Sequence, residues 1–113
     1  MTQRLVIYVD VDDTLVRSVG SKRIPMPAMV AHVQALAAGG AELYCWSTGG
    51  AAYARQAADE LGLTTCFVAF LPKPNVVIDD QELGDWRRFV AVHPLTAASL
   101  DLDDYEARTS TSR

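Results

Sequence analysis

The stretch that decides the fold is residues 6–16, which read VIYVDVDDTLV. Its first part is a run of apolar, β-forming residues, as expected of a strand that is covered on both faces. Its second part places three aspartates, Asp10, Asp12 and Asp13, within four positions. Carboxylates this close repel one another and resist burial unless something compensates their charge. The stretch therefore predicts a buried strand whose carboxyl end carries a charged site.

The composition fits one globular domain. The chain has 113 residues, of which 50% are hydrophobic, and a formal net charge of −4, which together exclude a disordered chain. No apolar run approaches the roughly 20 residues that span a bilayer, and the first aspartate comes too early for a secretory signal. We therefore expect a cytoplasmic protein with no membrane partner, in which Cys45 and Cys66 are free thiols. The acidic balance disfavours nucleic acid as a partner.

Strand-like and helix-like segments alternate along the chain, which is the pattern of an α/β domain with a mostly parallel sheet. The expected elements are strand 5–9, helix 27–38, strand 42–46, a helix to about residue 61, strand 65–70, strand 75–78, strand 87–92 and a short helix 95–102. They predict a three-layer, Rossmann-like domain of four to five strands over residues 1–105. The polar residues 106–113 are expected to form a disordered tail.

Polar residues gather where the parallel strands would end, which is the edge at which open α/β sheets bind ligands. In chain order they are Asp10, Asp12, Asp13, Ser47, Thr48, Lys73, Asp79 and Asp80. Several carboxylates at one edge require a cation, and Mg²⁺ is the cation that prefers such hard oxygen ligands. The hydroxyls and the lysine are phosphate-binding groups. The pattern therefore predicts Mg²⁺-dependent phosphoryl transfer, in which positioning and electrostatics dominate.

Four of these segments resemble, in order, the motifs of the haloacid dehalogenase-like (HAD) hydrolases. Residues 10–16 (DVDDTLV) look like the first motif, and Ser47 at a strand end resembles the second. Lys73 resembles the third motif, and the pair Asp79-Asp80 resembles the fourth. The resemblance implies a phosphatase that hydrolyses a phosphate monoester through an aspartyl-phosphate.

The resemblance also implies a role for each site residue. Asp10 would attack phosphorus, and Asp12 would protonate the leaving oxygen and later deprotonate the attacking water. Ser47 and Lys73 would hold the phosphoryl oxygens. Mg²⁺ would be bound by the Asp10 carboxylate, the Asp12 backbone carbonyl and the pair Asp79-Asp80, while Asp13 is expected to face solvent.

The spacing around Lys73 departs from the family pattern. Only five residues separate it from Asp79, whereas a crossover between parallel neighbouring strands needs about a dozen. We therefore expect strand 65–70 to be short or irregular, with Lys73 reaching the site from the side. The chain also has no room for a cap domain after the first motif. An open site of this kind suits a large phosphorylated substrate, or a homo-oligomer in which a neighbouring subunit supplies the lid.

Two other functions remain open at the level of sequence. A receiver domain has similar length and residues, but its phospho-acceptor follows the third strand, where this chain reads Phe70-Leu71-Pro72. A HAD-like fold retired from catalysis, which acts as a binding or assembly module, is the second alternative. The presence of both Asp10 and Asp12 favours the phosphatase. Ser47 has a simpler alternative role as the N-cap of the following helix.

Overall fold

A computed structural model describes residues 4–111, and its centre is a parallel sheet built on the stretch quoted above. The strands are β1 (Val6–Asp10), β2 (Val16–Val19), β3 (Lys22–Pro25), β4 (Glu42–Ser47) and β5 (Ala69–Pro72), and the helices are α1 (Pro27–Ala38), α2 (Ala51–Leu61), α3 (Pro94–Ala97) and α4 (Leu102–Thr111). Short 3-10 turns lie at Thr64–Cys66 and Leu83–Asp85. No helix in this described part of the chain is long and apolar enough to cross a membrane.

The main sheet has three parallel strands in the order β1-β4-β5. The order runs in one direction, and because crossovers between parallel strands are right-handed, both crossover helices are expected on the same face. The burial agrees: Val9, Leu43 and Cys45 on that face form one core with Val33 of α1 and Ala54 of α2. The predicted α/β class with a parallel sheet is thus confirmed.

The other face of the sheet is open. Val6 and Tyr8 of β1 point to it and are 54% and 46% exposed. A helix layer on this face, which the expected three-layer arrangement requires, is absent from residues 4–111, because α4 packs on α1 instead through Tyr105 and His32. The expectation that strand β1 is covered on both faces is therefore wrong.

Two segments expected to extend the sheet do not do so. Residues 75–78 and 87–92 form no strand, so the expected sheet of four to five strands has three. Only two residues lie between the end of β5 and the first segment, and the chain cannot return to the opposite end of the sheet over that distance. In the second segment Arg88 takes a left-handed conformation with φ 59°, which interrupts an extended chain.

The connection between the first motif and α1 is a small antiparallel hairpin. Strands β2 and β3 pair from Val16–Pro25 to Val19–Lys22. The two residues of the turn are Gly20 and Ser21, and Gly20 has the positive φ of 61° that such a turn requires. A Gly-Ser pair between two β-forming runs is the sequence signal for this hairpin.

The C-terminal segment is helical beyond the expected end of the domain. Helix α4 continues to Thr111, so residues 106–111 are not the disordered tail that was expected, while residues 112–113 lie outside the described residues. Tyr105 holds the helix against α1 through a 2.7 Å hydrogen bond between its hydroxyl and His32 Nε2. Thr109 Oγ1 donates to the Tyr105 carbonyl at 2.9 Å, which lets this polar residue be buried.

Candidate active site

The loop after β1 is a tight turn that folds the chain back on itself. The Val11 carbonyl accepts hydrogen bonds from the backbone N–H groups of Thr14, Leu15 and Val16 at 2.9–3.2 Å. Asp13 occupies the left-handed conformation within this turn, at φ 60°, and is exposed. Aspartate tolerates this conformation better than most residues, which explains its place there. Asp13 is therefore a turn residue that faces solvent, as expected.

Asp10 lies at the carboxyl end of β1 and contacts a cation. Its Oδ1 is 3.2 Å from Lys73 Nζ, and each of the two side chains is 32% exposed. Its other carboxylate oxygen accepts a long hydrogen bond of 3.4 Å from Thr14 Oγ1 in the same turn. The charge of Asp10 is thus partly compensated while its carboxylate stays open to solvent.

Lys73 reaches Asp10 from the loop directly after β5. The backbone N–H of Lys73 donates to the Ser47 carbonyl at 2.9 Å, which continues the β4–β5 pairing by one residue. Strand β5 starts at Ala69 and has four residues, and a 3-10 turn takes the place of its expected beginning. The expectation of a short third strand with Lys73 arriving from the side agrees with this structure.

Asp12 is held from the other side by Tyr53, the third residue of α2. The Tyr53 hydroxyl donates to Asp12 Oδ1 at 2.7 Å. This bond to the carboxylate, together with burial, raises the pKa of Tyr53 above its ordinary value. A glycine is needed nearby, because a Cβ at Gly49 would lie 3.0 Å from Cδ2 of the Tyr53 ring. The turn before α2 is therefore shaped to admit Tyr53.

A second contact fixes Tyr53 from the hairpin. Arg23 of β3 places its guanidinium carbon 5.2 Å from the centre of the Tyr53 ring. The same guanidinium donates from Nη2 to both carboxylate oxygens of Glu60, at 2.7 and 2.6 Å. This hydrogen bond raises the pKa of Arg23 and lowers that of Glu60. The hairpin is thereby tied to α2 beside Asp12.

The hydroxyl residues after β4 lie in different environments. Ser47 is buried, at 1% exposure, and its Oγ accepts a hydrogen bond of 3.0 Å from the Gly49 N–H. The N-cap of α2 is Gly50, so the interpretation of Ser47 as the N-cap is wrong. Thr48 is exposed beside it. Ser47 thus shapes the turn before α2.

The aspartate pair expected to complete the metal site lies on an irregular segment. Asp79 and Asp80 are exposed, and Asp79 Oδ1 accepts from the Gln81 N–H at 2.9 Å. Across residues 4–111, no group of three or more His, Cys, Asp or Glu side chains is arranged to hold a metal ion. The structure therefore brings Asp10 and Lys73 into contact at the edge that also carries Asp12, whereas Asp79 and Asp80 lie on an exposed segment that forms no strand.

The chain was compared with protein-family models, with curated proteins and with solved structures. None of the three comparisons gives a match. The case for a function therefore rests on the geometry of the edge formed by β1, β4 and β5.

The chemistry of the donor set bears on whether Mg²⁺ fits this edge. Mg²⁺ is commonly bound by one or two carboxylates, with water and a substrate phosphate completing its octahedron. Asp10 supplies one such carboxylate, the Asp12 backbone carbonyl supplies a second oxygen on the same short turn, and both residues are partly exposed. The residues present thus fit Mg²⁺ as a cofactor that also uses substrate oxygens.

Sequence reasoning missed the residues that orient the site. Tyr53 and Arg23 lie 41 and 11 positions from Asp12, and neither belongs to a recognised motif. Thr14 was part of the first motif but had no expected role. The signal that could have found Tyr53 is its position in the first turn of the helix that opens at the site.

Proposed function

We propose that the protein is a phosphatase that hydrolyses a phosphate monoester through an aspartyl-phosphate intermediate. The observation that carries the proposal is the ion pair between Lys73 and Asp10 at the carboxyl end of the parallel sheet. It supplies a carboxylate nucleophile and a cation for phosphoryl oxygens at one point. Asp12, held by Tyr53 on the same turn, supplies a proton-transfer group beside them.

The proposed reaction has two steps. In the first, an Asp10 carboxylate oxygen forms a bond to phosphorus, the bond to the leaving oxygen breaks, and Asp12 gives its proton to that oxygen. In the second, Asp12 takes a proton from water as the water oxygen bonds to phosphorus. The acyl-phosphate bond then breaks, which releases inorganic phosphate and restores the Asp10 carboxylate.

Tyr53 determines which oxygen of Asp12 takes part in this proposal. Its hydroxyl occupies Oδ1, so the proton that is transferred resides on Oδ2. Lys73 changes partner during the reaction, from the Asp10 carboxylate to the phosphoryl oxygens, and Ser47 and Thr48 would offer further donors. Donors that are already in position need little rearrangement during the reaction, and this is the basis of electrostatic catalysis.

Mg²⁺ belongs to the proposal as a cofactor held by the carboxylate of Asp10 and the Asp12 backbone carbonyl. When bound, it would neutralise charge on the phosphoryl oxygens. Asp79 and Asp80 would complete its ligands in this proposal, directly or through water. The residues of the chain otherwise act as described above.

We also propose that the protein is a small, capless member of the HAD superfamily. Four motif-like segments in family order support this, as does the position of the first one directly after the first parallel strand. Its substrate would be a phosphorylated small molecule or macromolecule at an open site, unless another copy supplies a lid.

The test is hydrolysis of p-nitrophenyl phosphate with and without Mg²⁺, by the wild-type protein and by Asp10→Asn. We expect Mg²⁺-dependent release of nitrophenol by the wild type and a loss of at least about a thousandfold in Asp10→Asn. An inactive wild type across a broad panel of phosphate esters would refute the proposal. Full activity of Asp10→Asn would refute the mechanism.

A retired binding module is the second candidate, and one observation favours it. Asp79 and Asp80 lie on an exposed, irregular segment instead of at the end of a fourth parallel strand. A module of this kind would bind a phosphate ester through Lys73 without hydrolysing it. The same assay distinguishes the two, because only the enzyme releases nitrophenol.

A further inference from the structure

The open face of the sheet carries aromatic side chains next to the proposed nucleophile. Asp10 of β1 is the register partner of Trp46 of β4, and side chains paired in this way share a face. Tyr8 lies two residues before Asp10 and therefore points to the same face. Its ring centre is 4.9 Å from that of Trp46, in an edge-on arrangement. We call the surface formed by Trp46 and Tyr8 the aromatic platform.

Lys73 lies between the aromatic platform and the Asp10 carboxylate, at the sheet edge that we call the catalytic edge. Its Nζ is 3.2 Å from Asp10 Oδ1 and 5.8 Å from the centre of the Trp46 ring. A phosphate that binds Lys73 is therefore held beside the platform. The strand rise of about 3.3 Å per residue places Tyr8 some 6–7 Å further along β1 from Asp10. A ring that reaches Tyr8 must be separated from the phosphate by a short spacer.

Tyr8 lies in the middle of β1, which is an edge strand of the sheet, and its side chain is exposed to solvent. It is 46% exposed, whereas the neighbouring Val9 on the other face is buried. An exposed aromatic face costs free energy in water, and a planar ring stacked on it regains part of that cost. The face and the cation together thus match a ligand with one anionic group and one planar ring.

We infer that the site takes a phosphate monoester whose leaving group carries a planar aromatic ring beyond a short spacer, as in a nucleoside monophosphate. The ring stacks on the exposed Tyr8 ring of the aromatic platform, with the nearly perpendicular Trp46 ring at its edge, while the phosphate contacts Lys73. This inference rests on the proposed function for the identity of the phosphate site. It adds the substrate class, since a plain sugar phosphate has the anion but no ring.

The test measures binding without turnover. Asp10→Asn in a Trp86→Phe background, with Mg²⁺ present, is titrated with adenosine monophosphate and with ribose 5-phosphate, and the fluorescence of Trp46 is recorded. We expect adenosine monophosphate to quench the fluorescence and to bind about tenfold more tightly than ribose 5-phosphate. Equal affinities, or no change in Trp46 fluorescence, would overturn the inference.

Two variants sharpen the test. Tyr8→Ala should reduce the ratio of the two affinities toward one, because it removes half of the platform. Val6→Ala is the matched control, since Val6 is on the same face of β1 but further from Asp10; the ratio should stay near tenfold. The inference is wrong if the ratio of the two affinities is one in every variant and Tyr8→Ala dissociates a dimer. The open face would then be an interface between copies of the chain.

The outcome also separates this inference from the proposed function. Hydrolysis of p-nitrophenyl phosphate by the wild type, with no preference for adenosine monophosphate over ribose 5-phosphate, would leave the phosphatase intact and reject the platform. Selective binding of adenosine monophosphate at Trp46 by a wild type that hydrolyses no ester would support the platform and reject the phosphatase.

Discussion

Lys73 Nζ lies 3.2 Å from Asp10 Oδ1, and this ion pair joins the end of β5 to the end of β1. Both side chains are about one-third exposed, so the pair adds at most about 1 kcal/mol to the free energy of unfolding. Its main importance is therefore positional. A cation that is already beside the proposed nucleophile would bind phosphoryl oxygens with little movement.

Replacement of this lysine should affect catalysis far more than stability. In Lys73→Met we expect kcat/KM for p-nitrophenyl phosphate to fall about a hundredfold, because a fixed cation at the phosphoryl oxygens is lost. The free energy of unfolding, measured from the urea midpoint, should fall by less than about 1 kcal/mol. Lys73→Arg keeps the charge and should retain more activity than Lys73→Met. A fall in kcat/KM of less than about threefold in Lys73→Met would contradict the role of this residue.

Removal of the hydroxyl that holds Asp12 should slow the reaction most for poor leaving groups. Tyr53→Phe loses the 2.7 Å hydrogen bond to Asp12 Oδ1 but keeps the ring under Arg23. An alkyl phosphate needs its leaving oxygen protonated, whereas nitrophenolate leaves without help. We therefore expect kcat to fall about tenfold more for glycerol 2-phosphate than for p-nitrophenyl phosphate.

The matched control for Tyr53 is Tyr44→Phe. Tyr44 also donates its hydroxyl to a carboxylate, Glu42, but away from the catalytic edge. Its loss should leave the ratio of the two rates unchanged. An equal fall for both substrates in Tyr53→Phe would show that Tyr53 supports the fold of the site rather than proton transfer by Asp12.

The local parts of the fold could be predicted from the sequence. Helix α1 begins at Pro27 and ends before Gly39-Gly40, and Gly62 ends α2 in the left-handed conformation. These boundaries depend on neighbouring residues only. The prediction of a strand at residues 75–78 was wrong. The composition of this segment is that of a buried strand, but the connection before it is too short for the chain to return across the sheet. Ile78 is consequently 96% exposed.

Of the candidate site, the sequence predicted only the charged residues at the strand ends. The positions of Asp10 and Lys73 followed from strand ends, because the carboxyl ends of parallel strands meet at one edge. For Tyr53 the sequence indicates only a position in the first turn of α2, since its contact with Asp12 depends on the angle at which α2 leaves the turn. The open face carrying Tyr8 depends on the strand order, which no local pattern in the sequence specifies.

The two cysteines should differ in reactivity. Burial, and secondarily the negative charge of Asp10, raises the pKa of the Cys45 thiol to about 12. Its thiolate is then scarce at about pH 8, and its sulfur is also out of contact with solvent. Cys66 is partly exposed. We expect one fast thiol per native chain in a thiol-disulfide reagent assay and none in Cys66→Ser. Rapid modification of Cys66→Ser without denaturant would contradict the burial of Cys45.

The contact between His32 and Tyr105 should make stability depend on pH. Burial lowers the pKa of His32 in the folded protein below its ordinary value of 6.5. The unfolded chain then binds a proton that the folded protein does not, so the stability associated with His32 is complete above 6.5 and decreases as the pH falls below it. The decrease stops once the pH is below the folded pKa. Urea denaturation between about pH 8 and pH 5.5 measures this change.

Two substitutions identify the histidine responsible for that slope. His32→Gln removes the buried ring, so its urea midpoint should be lower at neutral pH but should fall less between about pH 7 and pH 5.5. His93→Asn keeps His32 and replaces an exposed ring by a side chain that can still accept from the Leu95 N–H, so the wild-type slope should persist. An unchanged slope in His32→Gln would mean that α4 docks on α1 without excluding water from this ring.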